Sequence, residues 1–195
     1  MTIIYTMTFG SFIGFSAALA LSIEVIFGFK HILVNGVYTH TTANPNGPSA
    51  LMYAWMAPFI GALIRPVGGW MSDKLGGATV TFWNYIVMVL AVLGVMYFLP
   101  SETSAGSFVG YFLCFMVLFI TTGIGNGSTF TMIPVIFRTF HERMEPTKIG
   151  TEPLFIEIRK ESAAVVGFTS AIAAYGAFFV PKMFGSGLGI DGTFM

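Results

Sequence analysis

The stretch FVGYFLCFMVLFITTGIGNGSTFTMIPVIF, residues 108–137, runs without one Asp, Glu, Lys, Arg or His. A bilayer's hydrocarbon core is about 30 Å thick and is crossed by about 20 apolar residues of helix. A run this long and this uncharged reads as a membrane-spanning helix. Barrel strands would instead alternate in polarity over about ten residues, and this stretch does not.

Working outward, four more apolar stretches flank it, at about residues 3–29, 50–71, 80–99 and 163–184. Only 9% of the 195 residues are charged and 55% are hydrophobic, against about 25% charged in a soluble domain. That composition excludes a soluble globular domain and an intrinsically disordered one. A single cysteine, Cys114, excludes a disulfide scaffold. Nine basic residues balance nine acidic ones with no basic stripe, which argues against nucleic-acid binding. The expected fold class is therefore all-α, a polytopic membrane helix bundle with five transmembrane helices.

The connections are then 30–49, 72–79, 100–107 and 138–162. Lys74, Arg138, Arg143, Lys148, Arg159 and Lys160 fall on one side, and only Lys30 and Lys182 on the other. By the positive-inside rule the 72–79 and 138–162 connections are cytoplasmic, with the N-terminus inside and the observed C-terminus outside. Trp70 and Trp83 flank the 72–79 connection, where amphipathic rings suit the interface. The first residues lack the basic start and cleavage pattern of a signal peptide. An odd number of spans suggests a partial bundle, truncated at both ends. The 30–49 connection is polar, turn-rich and exposed; 138–162 reads as a solvated, partly helical cytoplasmic loop.

Arg65 lies inside the second span, about six residues or roughly 9 Å from its cytoplasmic end. An intramembrane Arg costs about 2.5–3.5 kcal/mol on insertion scales. The one carboxylate in the five stretches, Glu24, is near the opposite end of the first span. Arg65 therefore snorkels to the interface, pairs with a carboxylate outside the chain, or faces an aqueous cavity that admits an anion. Pro58 and Pro66 perturb the same helix, and irregular helix is tolerated where it lines a cavity. A guanidinium fork also suits planar oxyanions.

Small residues recur at helical spacing. Gly10 and Gly14, Gly123 and Gly127, and Ala163, Gly167 and Ala171 each make a smooth face for a close neighbour. Gly125 and Asn126 lie within the same glycine-rich segment, and a membrane-buried amide needs partners. Tyr5 and Phe9, four apart, share a face, as do Gly167 and Ser170. No metal site is expected: His31 and His40 are in the outer connection and His141 is in the inner one. No cofactor and no catalytic constellation is expected, so the chain does not read as an enzyme.

Two segments carry a resemblance. PFIGALIRPVGGWMSDKLGG (58–77) ends in Gly69, Asp73 and Gly76, spaced as in the cytoplasmic loop motif of the major facilitator superfamily. GFTSAIAAYGAFFVPKMFG (167–185) resembles the nitrate signature of bacterial nitrate/nitrite porters, and GIGNGSTFTMIPVIFR (123–138) and YTMTFGSFIGFS (5–16) are similar to that family's tenth and seventh helices. The resemblance implies that the five spans are helices seven to eleven of a twelve-helix transporter whose N-terminal half bundle is missing. It implies that Arg65 is the second-half nitrate-binding arginine, with Tyr5 its hydrogen-bonding tyrosine and Phe9 its aromatic wall. Gly167 and Ser170 then belong to the signature helix. Ala174 and Tyr175 depart from the family's smaller or aliphatic residues, Asn126 replaces a small residue, and the 30–49 connection is longer than usual.

The implied function is nitrate/nitrite transport through a plasma membrane by alternating access, more readily by exchange than by proton symport. Its partners are nitrate, nitrite, the lipid bilayer and the absent half, with no nucleic acid. The alternatives are a major facilitator carrier of another small anion, or a non-transporting sensor or assembly subunit.

Overall fold

The computed structural model describes residues 2–34, 37–100, 106–144, 152–175, 178–179 and 182. Five helices account for most of them: α1 (Ile3–Phe27), α2 (Ala50–Leu75), α3 (Gly77–Phe98), α4 (Phe108–Met144) and α5 (Glu152–Ala174). The first four are long and apolar enough to cross a membrane. The fold is a membrane helix bundle. α5 starts with Glu152, Glu157, Arg159, Lys160 and Glu161 before its apolar part. Much of the fifth predicted stretch beyond Tyr175 lies outside the described residues.

Two of the expected connections, 72–79 and 30–49, have a different structure. The 72–79 stretch is not a loop: α2 runs on to Leu75, and Gly76 alone separates it from α3. Gly76 has φ +85°, a left-handed conformation open to glycine at little cost, and that permits so abrupt a join. The 138–162 stretch is helical to Met144 and again from Glu152. The 30–49 stretch is built rather than merely exposed. It contains an antiparallel hairpin of β1 (Phe29–Val34) and β2 (Val37–Ala43).

α1 is not uniformly α-helical. It has π-turns at Thr6–Gly10 and Ile23–Phe27; such turns occur often at functional sites. The first begins one residue after Tyr5 and contains Phe9 and Gly10. Tyr85 of α3 donates a hydrogen bond to the Ile4 carbonyl beside it, at 2.9 Å.

The closest helix pair is α2 against α4, backbone on backbone. A Cβ on Gly127 would run into the Arg65 carbonyl oxygen, one on Gly123 into that of Gly61, and one on Gly68 into the Ile124 backbone. The Gly123/Gly127 spacing is thus a true packing face, and it is reciprocated by glycines on α2. Gly125 turns the other way, toward Thr8 of α1 and Asn84 of α3. Gly10 and Gly14 are buried on α1.

The core is aromatic. Phe15, Leu19, Ile23 and Phe27 of α1 meet Tyr111, Phe115, Leu118 and Phe119 of α4, with Met88, Ala91 and Val95 of α3 behind them. Buried polar groups tie the same helices. Asn84 donates to the Thr121 carbonyl at 2.9 Å, Thr81 and Ser128 share a hydroxyl contact at 3.2 Å, and Tyr111 bonds Ser22. The outward face of α3 carries Phe82, Trp83, Leu90, Leu93 and Met96. A helix apolar on every side suits a lipid-facing position and not a water-facing one.

Candidate functional site

A cavity of about 600 Å³ opens between α1, α2 and α4, lined by Tyr5, Arg65, Pro66, Gly69, Trp70, Asp73, Asn126, Gly127, Phe130 and Thr131. It exists because of the glycines. With Gly68 and Gly127 bringing the two backbones together, the larger side chains of α2 and α4 diverge on either side of the contact.

Arg65 is half-buried, and its direction decides what it does. Its Cζ lies 4.4 Å from the centroid of the Phe12 ring and 5.6 Å from that of Phe9. The guanidinium is therefore turned across the bundle onto α1. Its Nε is buried with no hydrogen-bond partner among the described residues. The ion pairs among those residues, Arg138–Glu142 and His141–Glu161, lie on the charged ends of α4 and α5. Cation–π contacts are worth about 0.5–2 kcal/mol, less than the roughly 2.5–3.5 kcal/mol that a central Arg costs. The rings thus offset part of the charge's cost and use none of the guanidinium's five N–H donors.

The other polar groups arrive from separate helices. Tyr5, 4% exposed, stacks on Phe9 with ring centroids 5.5 Å apart. Ser170 of α5 donates to the Tyr5 phenol oxygen at 3.4 Å, which couples the two helices through the site. Asn126, also 4% exposed, contributes to the lining with an amide that makes no hydrogen bond to a described residue. Thr131 satisfies itself on its own helix through the Ser128 carbonyl, at 2.9 Å.

The structure thus gathers Arg65, Tyr5, Phe9, Ser170, Asn126 and Gly127 in one place. It does not bring Gly167 there. That residue is on the exposed face of α5, and a Cβ on it would meet nothing within 4 Å. α5 packs instead through Leu154, Ile158, Ser162, Thr169 and Ala173, so the Ala163–Gly167–Ala171 track points away from the bundle. Gly123 and Gly125 serve packing, as do Gly10 and Gly14. Gly69 and Asp73, expected in a loop motif, are helical and line the cavity, and Gly76 makes the turn.

Phe12 is a residue that sequence reasoning missed. Its signal was present: Tyr5, Phe9 and Phe12 follow at steps of four and three, the spacing of one helical face. Phe130 and Trp70 carried no comparable cue.

Comparison with known proteins gives consistent matches. The chain is 41% identical over 194 residues to the nitrate/nitrite transporter NarU of Salmonella typhimurium, covering 99% of the chain and 38% of that protein. It is 40% identical to NarU of Escherichia coli over the same shares. It is 34% identical over 179 residues to the probable nitrate/nitrite antiporter NarK2 of Thermus thermophilus, covering 91% of the chain and 32% of that protein. The chain thus spans less than two-fifths of the length of these relatives. No family model matches it.

Proposed function

We propose that this chain, a homologue of the bacterial nitrate/nitrite porters along nearly its whole length, forms one wall of a nitrate/nitrite pathway and supplies that pathway's anion site. The observation that carries the reading is Arg65: an intramembrane cation held on two aromatic rings, with a buried donor and no ion pair to a carboxylate among the described residues. A planar oxyanion entering the cavity would meet the guanidinium fork. Bidentate hydrogen bonds of this kind are both directional and strong. The Asn126 amide and the Tyr5 hydroxyl would provide further donors, and Phe9 and Phe12 would provide an apolar wall.

The transport mode we favour is alternating access by exchange. Closing the pathway around an uncompensated Arg65 places a bare charge in low dielectric, which costs several kcal/mol. An anion in the site removes that cost, so conformational exchange is favoured only with substrate bound. The matching half bundle is the partner this reading requires. By the positive-inside rule the charged ends of α4 and α5 face the cytoplasm.

One observation favours a second reading, nitrate/proton symport. Asp73, two helical turns beyond Arg65, lines the same cavity and supplies a titratable group. Exchange predicts that Asp73→Asn leaves nitrate-driven nitrite release intact at every pH. Symport predicts that this variant loses the response to an imposed pH gradient.

The test of the site itself is Arg65→Lys in the full-length protein, assayed for nitrate uptake in vesicles. Lysine keeps the charge and lacks the planar fork. Uptake should fall to background while the protein still inserts. Near-normal uptake would overturn the arginine site.

A further inference from the structure

Behind the Arg65 cavity, where α1 meets α3, a second set of contacts fixes the start of α1. Tyr85, in the first half of α3, donates its hydroxyl to the Ile4 carbonyl at 2.9 Å. The Thr8 hydroxyl is shared between the same carbonyl at 3.3 Å and the Tyr5 carbonyl at 3.2 Å. Ile4 and Tyr5 are the last two residues before the π-turn of Thr6–Gly10. A π-turn stretches the backbone bond from four residues to five. Carbonyls at such a break in the ladder are open to side-chain donors, and here two hydroxyls take them up.

The neighbouring contacts hold the same place. Thr8 is fully buried, and Gly125 of α4 makes room for it: a Cβ on Gly125 would come within 2.8 Å of both the Thr8 methyl and the Asn84 amide nitrogen. Asn84, next to Tyr85, is tied to α4 by its bond to the Thr121 carbonyl at 2.9 Å. Tyr85 is therefore itself set firmly against the bundle. On the cavity side of α1, Tyr5 stacks on Phe9 and accepts from Ser170. The described residues lining that cavity come from α1, α2 and α4, with none from α3. Tyr85 thus bonds the backbone one residue from Tyr5 without entering the cavity.

We propose, resting on the anion site argued above, that Tyr85 is a positioning residue for that site. By holding the Ile4 carbonyl it fixes the mouth of the π-turn, and with it the place of the Tyr5 hydroxyl relative to the Arg65 guanidinium. A binding group works only when held within about 0.5 Å of its productive place by its supporting residues. Losing the Tyr85 hydroxyl leaves the Ile4 carbonyl with the longer Thr8 bond as its side-chain contact, and a buried carbonyl that is poorly paired favours a shift of the backbone.

The test uses the full-length protein, with nitrate as the probe. Tyr85→Phe, Tyr5→Phe, their combination and Arg65→Lys are compared for half-saturation and maximal rate in vesicles. Tyr85→Phe should raise half-saturation by about two- to tenfold, the scale of one neutral hydrogen bond, and by no more than Tyr5→Phe does. Its maximal rate should stay within about twofold of the parent, a split that general loss of packing would not give. Adding Tyr85→Phe to Tyr5→Phe should cost nothing further, because the hydroxyl being positioned is already gone; independent effects would multiply. Amide hydrogen exchange over residues 5–10, followed without nitrate, should quicken in Tyr85→Phe. Unchanged half-saturation, unchanged exchange at these amides, or multiplying effects in the double variant would each overturn the role of Tyr85, and would leave the arginine site standing if Arg65→Lys abolishes uptake. Near-normal uptake in Arg65→Lys would remove the site itself, and the positioning role with it.

Discussion

Two cavities among the described residues are of similar size, and each holds a charged residue in a different setting. The one around Arg65 holds about 600 Å³. The other, about 670 Å³, lies near the hairpin and is lined by Ala20, Glu24, Gly28, Phe29, Pro48, Ser49, Ala50, Leu51, Ala54 and Trp55. Volume does not separate them; the state of the charged residue does. Glu24 is exposed and can keep its hydration, so its cavity requires no counter-ion. Arg65 has a buried donor without a partner among the described residues and two aromatic rings for neighbours, and under the proposed function an anion would meet that donor. A site is marked by an unmet electrostatic requirement more than by empty space.

The comparison breaks most severely if the wall of the Arg65 cavity can be altered without consequence. In Gly127→Ala the new methyl meets the Arg65 carbonyl oxygen, and helix backbone cannot step aside as a side-chain tip can. The expected cost is up to about 3 kcal/mol, as for overpacking elsewhere, seen as a lower melting temperature in detergent. Gly167→Ala, with open space around it, should stay within about 0.5 kcal/mol of the parent. Equal melting temperatures would mean that α2 and α4 are not in backbone contact.

Asn126→Leu removes a neutral donor from the same cavity while keeping similar volume. Hydrogen bonds to charged groups are worth about 1.5–3 kcal/mol. Half-saturation for nitrate should therefore rise by about tenfold or more with insertion unchanged. An unaltered affinity would assign Asn126 to packing alone. Tyr5→Phe keeps the ring stacked on Phe9 and deletes only the hydroxyl. It should weaken nitrate binding by a smaller factor, corresponding to about 0.5–1.5 kcal/mol. It also removes the acceptor for Ser170, so Ser170→Ala added to Tyr5→Phe should have little further effect.

What the sequence disclosed divides along the same line. Four of the expected stretches fall on helices long and apolar enough to cross a membrane, because lipid imposes length and apolarity on each helix independently. The Gly123/Gly127 contact was legible for a similar reason, since close backbone approach admits few other residues. Hydropathy falls after Met71, yet the helix continues through Asp73 to Leu75, because Gly76 lets the chain turn late. The small-residue spacing of α5 says that one face is smooth and not which way it points, and within this chain Gly167 faces open space. Phe12 escaped notice because aromatic residues on a membrane helix are common, and only the direction of Arg65 selects among them.

The smallest expected effect belongs to the other cavity. Glu24→Gln removes its one carboxylate and changes no packing volume. Because Glu24 is exposed, its charge is screened and hydrated, and surface substitutions of this kind stay within about 0.5 kcal/mol. Nitrate uptake by the full-length variant should remain within about twofold of the parent across the pH range. The result has consequences in both directions. An unchanged pH profile leaves Asp73 as the carboxylate on which a proton-coupled mode would have to act. A lost or shifted pH response would move that coupling to the hairpin end of α1, on the far side of the bundle from Arg65, and the two cavities would then be successive stations on one route.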